Sequence, residues 1–186
     1  MDKPVEFGEY QGCKNFATWS VSYWIRQQSQ ESRLHYQKLA RSYAHTTFQK
    51  DMVSGFESFL KGWLPPDSME ANIVRDFLCC GIRAIEWDLV YDLLRGKEIK
   101  WVPNLLTVAA TKMLSQAPWQ DVVDNVEFDI EANNRLRGWT HGQIELWINN
   151  LTARQNQTPL SIFAVKSYEV VLSSVNWKAV VEELKK

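Results

Sequence analysis

One pattern is repeated around three of the nine tryptophans of this chain. The pattern is W-x-x-V-[VY]-[DE]-x-[LV], and its ungapped copies occupy residues 87–94, 119–126 and 177–184. Apolar residues also precede each tryptophan by five and by fourteen positions: Ile82, Leu114 and Leu172, and Ile73, Leu105 and Phe163. This spacing predicts a repeated unit of an apolar helix, a short break and a second helix.

The tryptophan opens the second helix of each predicted unit. Glu86, Pro118 and Asn176 stand just before the three tryptophans, and all three residue types are acceptable at a helix start. The apolar residues that follow share one helix face with the tryptophan. Because such a face must be buried against neighbours, the sequence predicts an all-α fold, a compact bundle of roughly eight short helices with little or no sheet.

Further helices are predicted before the first tryptophan unit. Asn15 can cap a helix whose apolar residues recur at near-helical spacing up to Ile25. A second helix fits residues 31–45, and a third fits residues 48–64, where two prolines end the pattern. An irregular arm, residues 1–13, precedes these helices.

The first helix also has a counterpart later in the chain. Residues 21–25 read V-S-Y-W-I, and residues 144–148 read I-E-L-W-I. This similarity predicts one compact domain, residues 1–186, built from two related halves, about 14–96 and 97–186. Residues 126–131 alternate apolar and acidic side chains, which is the period of a strand, so a strand and a helix both remain open there.

The opening of the first predicted helix, N-x-x-T-W-x-V-x-x-W-I at residues 15–25, resembles a family of small phage and plasmid proteins with no established activity. The closing motif of that family, S-V-[DN]-W-x-x-[IV], is similar to residues 174–180. The resemblance covers about a third of the chain. It implies an origin on a mobile genetic element and carries no catalytic role.

Composition excludes several classes of protein. A hydrophobic content of 45% argues against intrinsic disorder, and a net charge of -1 argues against both a general nucleic-acid coat and an acidic DNA mimic. No segment is apolar over a signal-peptide or membrane-spanning length, so we expect a cytoplasmic protein without a membrane partner. Cys13, Cys79 and Cys80 are expected to be reduced thiols.

Catalytic motifs are absent from the sequence. The glycines form no phosphate-binding loop, and His35, His45 and His141 are accompanied by no zinc-binding spacing, so we expect no cofactor and no metal. His141 and Glu145 could share a helix face, which does not make a metal site. The acids near the repeated tryptophans suit helix starts better than paired acid and base chemistry.

Two surfaces are candidates for binding. Four basic or titratable residues of the second helix fall within an arc of about 120°: His35, Lys38, Arg41 and His45. Such a stripe is either an ordinary solvated face or a patch for acids and phosphates. A surplus of aromatic rings is either core or a partner-binding surface: Trp19, Tyr23, Trp24, Trp139 and Trp147.

These features predict a non-enzymatic protein-binding or regulatory module that acts on a host protein. A nucleic-acid-associated regulator that uses the basic stripe is the alternative, and an enzyme with an unrecognised site is the second. Nucleic acid is not the favoured partner, and self-association remains open.

Overall fold

The computed structural model describes residues 3–42, 44–116 and 130–186. Over these ranges it contains ten α-helices and no β-strand, which confirms the all-α prediction. The helices are α1 Phe16–Arg26, α2 Gln30–Ser42, α3 His45–Leu60, α4 Met69–Arg83, α5 Trp87–Leu94, α6 Leu105–Leu114, α7 Ile130–Asn149, α8 Leu151–Gln155, α9 Pro159–Ser173 and α10 Trp177–Lys185.

Two sequence predictions fall partly or wholly in the gap between the described ranges. The middle tryptophan unit, 119–126, lies outside the described residues, as does 126–129 of the segment with strand periodicity. Residues 130 and 131 begin α7. Among the described residues, no helix has both the length and the hydropathy that crossing a bilayer requires.

The chain forms two compact units. Unit 1 comprises Met1–Glu6 with Leu78–Val170, and unit 2 comprises Phe7–Phe77 with Val171–Lys186. These units are defined by contacts in space and do not coincide with the predicted sequence-related halves, 14–96 and 97–186, because the chain changes unit inside α4 and again inside α9. Each unit combines helices from both halves of the sequence.

The core of unit 2 is built around α3 and α10. Side chains spaced three or four apart on α3 are buried: Phe48, Met52, Phe56 and Phe59. The rings of Phe56 and Trp177 lie 6.4 Å apart, and α10 packs against α1, α2 and α3. The tryptophan face of α10 is thus buried against the first helices of the chain, as an amphipathic helix requires.

The third helix ends earlier than the predicted residue 64. Gly62 has φ 80°, and its backbone N–H donates to Phe59 O at 2.9 Å, while the N–H of Trp63 donates to Ser58 O at 2.9 Å. These two bonds close the helix in a Schellman motif, for which a glycine with positive φ is suited. The glycine ends α3 before the prolines do.

Unit 1 has the corresponding arrangement. α5 packs against α6 and α7, as α10 packs against α1 and α3 in unit 2. Leu136, Thr140, Ile144 and Trp147 are buried on α7 at the same spacing as the core residues of α3. Trp87 is 4% exposed and Trp177 is 6% exposed, so the two described tryptophan units are buried alike.

Candidate binding surface

The first helix of unit 2 is fixed by a hydrogen-bonded clamp at its start. Asn15 Oδ1 accepts from both the backbone N–H and the hydroxyl of Thr18, each at 2.9 Å. Asn15 Nδ2 donates to Ser174 O at 2.8 Å, and the Asn176 N–H donates to Thr18 Oγ1 at 2.9 Å. The side chains that cap α1 therefore also hold the break that precedes Trp177.

The same clamp occurs in unit 1. Asn104 Oδ1 accepts from the backbone N–H and the hydroxyl of Thr107 at 2.9 and 3.0 Å. Asn104 Nδ2 donates to Ala84 O at 2.8 Å, and the Glu86 N–H donates to Thr107 Oγ1 at 2.9 Å. The N-x-x-T motif thus forms hydrogen bonds that join the start of one helix to the break that precedes a helix beginning with tryptophan.

The clamp corrects the sequence-based match between helices. The counterpart of the α1 start is Asn104–Thr107 at the start of α6, whereas residues 144–148 lie near the end of α7. V-x-x-W-I describes only an apolar helix face, which many helices share. The N-x-x-T motif occurs in the sequence at both helix starts, and comparing these motifs would have identified the correct pair of helices.

Five aromatic rings of unit 2 form an aromatic ladder along α1: Tyr10, Phe16, Trp19, Tyr23 and Trp24. Trp19 and Tyr23 are stacked, with ring centroids 4.6 Å apart and an interplanar angle of 20°. Tyr10 meets Trp19 edge-on at 5.0 Å. Tyr23 is 37% exposed and Trp19 is half-buried, so the stacked pair faces solvent in part.

A tight turn holds Tyr10 on the ladder. The backbones of Tyr10 and Cys13 exchange two hydrogen bonds of 3.0 and 2.8 Å, and Gln11 and Gly12 both have positive φ. This combination is that of a type I′ turn, in which Gly is favoured. The arm has no regular secondary structure over its described residues, 3–13, but this turn places Tyr10 on the aromatic ladder, a position that no sequence pattern predicted.

Trp24 is anchored from within unit 2. Its Nε1 donates to Asp76 Oδ2 at 2.6 Å, and the Ser20 hydroxyl donates to the same oxygen at 2.8 Å. The indole is half-buried. Trp24 thus links the ladder on α1 to Asp76 on α4 by a hydrogen bond. The exposed part of the ladder is centred on Tyr23.

The other predicted rings belong to α7 in unit 1. Trp147 is 1% exposed, and its Nε1 donates to Ala153 O at 3.1 Å. It is a core residue and not an interface ring. Trp139 is half-buried.

The predicted basic stripe is interrupted. His35, Lys38 and Arg41 are exposed on α2, but α2 ends at Ser42 and His45 begins α3. The arc calculated for one continuous helix therefore does not include His45. The Arg41 guanidinium donates to Lys185 O at 3.3 Å near the end of α10, where a cation is favoured by the helix dipole.

Acidic side chains accompany the basic ones on the adjoining helices. Glu183 Oε1 pairs with Arg26 at 2.5 Å, its Oε2 pairs with Lys186 at 2.5 Å, and Glu182 pairs with Lys185 at 2.9 Å. Hydrogen bonds from Lys186 and Arg26 lower the pKa of Glu183. The charge on this side of unit 2 is therefore mixed in sign.

Titratable residues of unit 1 were also candidates for chemistry. Glu86 Oε2 accepts a hydrogen bond of 2.9 Å from the N–H of Asn104, the residue that caps α6. This carboxylate is therefore hydrogen-bonded to the start of α6. The Cys79 sulfur lies 3.5 Å from His141 Nε2. Among the described residues, no three His, Cys, Asp or Glu side chains come close enough to hold a metal ion.

Comparisons of the chain with protein-family models, with curated proteins and with solved structures found no match.

Proposed function

We propose that the protein is a non-enzymatic, protein-binding regulatory module that engages a host-cell protein through the aromatic ladder of unit 2. The observation that carries the proposal is the stacked pair of Trp19 and Tyr23, with Tyr23 37% exposed. Tryptophan and tyrosine are enriched among the residues that dominate binding energy at protein interfaces. An origin on a phage or plasmid, which the sequence resemblance implies, makes a host protein the natural target.

The ladder is preorganised, which favours binding. The turn at Tyr10 covers one side of Trp19, and the carboxylate of Asp76 fixes the neighbouring Trp24. Ordering a flexible side chain on association costs roughly 0.5–1.5 kcal/mol. Rings that are already stacked avoid much of that cost, so a modest exposed area can support specific binding.

The charge around the ladder favours a protein over a nucleic acid. Arg26 lies on α1 with the ladder, and Glu183 neutralises it. Nucleic-acid surfaces depend on phosphate contacts from unneutralised cations. Stacked rings also bind bases, so nucleic acid is the alternative that a test must separate from a protein partner.

Site-specific photo-crosslinking tests the proposal. A benzophenone amino acid is placed at Tyr23 and, as a matched control, at Trp63, an unrelated ring of unit 2 that is 72% exposed. In nuclease-treated host lysate, position 23 should form a discrete protein adduct that position 63 does not form. Adducts at position 23 that disappear with nuclease, or identical adducts at both positions, would contradict the proposal.

A further inference from the structure

A cavity of about 290 Å³ lies in unit 1 between α6 and α9. Its lining includes two buried residues, Met113, which is 4% exposed, and Phe163, which is 1% exposed. Ile162 adds a further apolar side chain, and the exposed residues Lys112 and Lys166 add positive charge to the lining. The cavity therefore combines an apolar floor with a positively charged edge.

The two clamps show which residues of unit 2 correspond to this cavity. Met113 stands nine residues after Asn104, as Trp24 stands nine after Asn15. On the opposite helix, Lys166 precedes the clamped residue Asn176 by ten positions, as Asp76 precedes Glu86 by ten. Because the clamp bonds match to within 0.1 Å, Met113 corresponds to Trp24 and Lys166 to Asp76.

The equivalent residue in unit 2 is Trp24, whose Nε1 donates to the carboxylate of Asp76. In unit 1 the bulky ring is replaced by Met113, and the carboxylate is replaced by the amine of Lys166. Met113 is smaller than the indole, and Lys166 reverses the charge that Asp76 has at the equivalent position of the repeat.

We propose that this cavity is a binding site for a small aromatic carboxylate. The ring rests on Met113, which is equivalent to Trp24 in the repeat, and on Phe163. Thioether sulfur and aromatic rings attract each other, and the volume is near the lower end of the roughly 300–1,000 Å³ that is typical of ligand pockets. The carboxylate pairs with Lys166 and Lys112, two cationic residues of the cavity lining.

The charge contribution to affinity is modest because both lysines are exposed to water. The shape of the apolar floor supplies most of the affinity, and the lysines select an anion over the neutral ring. This site shares no residue with the aromatic ladder. A test of ligand binding at the cavity therefore does not decide the proposed function, and a test of the proposed function does not decide ligand binding.

Indole-3-acetate is the probe for a titration that follows ¹³C-labelled methionine methyl groups by NMR. The Met113 resonance should shift saturably, and 3-methylindole, which has no carboxylate, should bind at least about fivefold more weakly. Met113→Trp, which introduces the ring found in unit 2, should abolish binding as monitored by ligand-detected NMR. Failure of indole-3-acetate to bind, or unchanged binding to a folded Met113→Trp variant, would overturn the proposal.

Charge reversal provides a second test that does not require the larger side chain to be accommodated. Lys166→Asp should weaken indole-3-acetate binding at least about fivefold. The control variant Lys100→Asp changes an exposed lysine of unit 1 that does not line the cavity, and it should bind as the wild type does. Equal affinity in these two variants would show that Lys166 does not receive the carboxylate and would refute the site as described.

Discussion

The Trp24 indole and the Asp76 carboxylate meet at a hydrogen bond of 2.6 Å, with Nε1 as donor and Oδ2 as acceptor. The Ser20 hydroxyl donates to the same oxygen at 2.8 Å. One carboxylate oxygen thus accepts hydrogen bonds from two side chains of α1 and holds Trp24, the last ring of the aromatic ladder, in place.

Trp24→Phe keeps an aromatic ring but removes the donor to Asp76. Hydrogen bonds to charged groups contribute about 1.5–3 kcal/mol, so the free energy of unfolding should fall by about that amount in a urea titration. Trp63→Phe, which changes an exposed indole, should stay within about 0.5 kcal/mol of the wild type. Equal effects of the two substitutions would show that the Asp76 bond contributes nothing to stability.

The two clamps should respond alike to loss of their threonine hydroxyls. Thr18→Val and Thr107→Val each remove a buried group that accepts from one backbone N–H and donates to an asparagine. Each substitution should cost about 1–3 kcal/mol, because a part-buried N–H loses its partner. Thr46→Val, at an exposed position of α3, is the control for the change of side-chain type. A large cost at one clamp and none at the other would disprove their equivalence.

Two glycines in the helices of unit 1 should give opposite results when they are replaced by alanine. A Cβ at Gly81 would lie 2.1 Å from Ser167 Oγ, whereas a Cβ at Gly138 meets nothing within 4 Å. Gly138→Ala should therefore stabilise α7 by up to about 1 kcal/mol through helix propensity. Gly81→Ala should instead destabilise the protein by about 1–3 kcal/mol through overpacking.

Thermal unfolding checks the signs of both changes. The double variant Gly81→Ala, Ser167→Ala should recover most of the loss, because it removes the oxygen that the new methyl group meets. Stabilisation by Gly81→Ala alone would show that α4 and α9 do not approach each other closely within unit 1.

Stability should depend on the ionisation of Glu183 at low pH. Hydrogen bonds from Lys186 and Arg26 hold the pKa of this carboxyl below its ordinary value of 4.5 in the folded state. The stabilisation is therefore fully present above pH 4.5 and is lost as the pH falls through the lowered folded-state pKa. Glu183→Gln should lower the melting temperature slightly at pH 7, and that difference should shrink progressively as the pH falls below 4.5.

Salt and a control variant identify the origin of that effect. Because Arg26 and Lys186 are exposed, high ionic strength should reduce the difference at pH 7. Glu169→Gln, which changes an exposed glutamate of α9 in unit 1, is the control for the change of side-chain type. A difference for Glu183→Gln that does not shrink as the pH falls below 4.5 would contradict the ion-pair explanation.

The sequence predicted the helices well and their partners poorly. Apolar spacing around Trp87 and Trp177 correctly indicated a helix, a break and a helix. It did not indicate that α5 packs on α6 and that α10 packs on α1, because an apolar face has no preferred partner. The hydrogen bonds of Asn15 and Asn104 specify those partners, and their shared N-x-x-T spelling was readable.

Periodicity predicted which aromatic rings share a helix face but not how exposed each ring is. Trp19 and Tyr23 lie together at the surface, but Trp147 is buried, because periodicity assigns a face and cannot tell which rings the rest of the fold will cover. Tyr10 joined the ladder through a turn that lies outside any periodic segment. His45 is not part of the basic stripe, because α2 ends at Ser42 and a new helix, α3, begins at His45.

The affinity of a Tyr23→Ala variant for the protein captured at position 23 tests the proposed function most directly. Removal of an exposed anchor ring should weaken binding by at least about 2 kcal/mol, roughly thirtyfold, while the fold is retained. Trp63→Ala should bind as tightly as the wild type, and so should the variant with both Lys38→Glu and Arg41→Glu. Salt-sensitive nucleic-acid binding that the charge-reversed variant loses, with unchanged protein binding by Tyr23→Ala, would contradict the account.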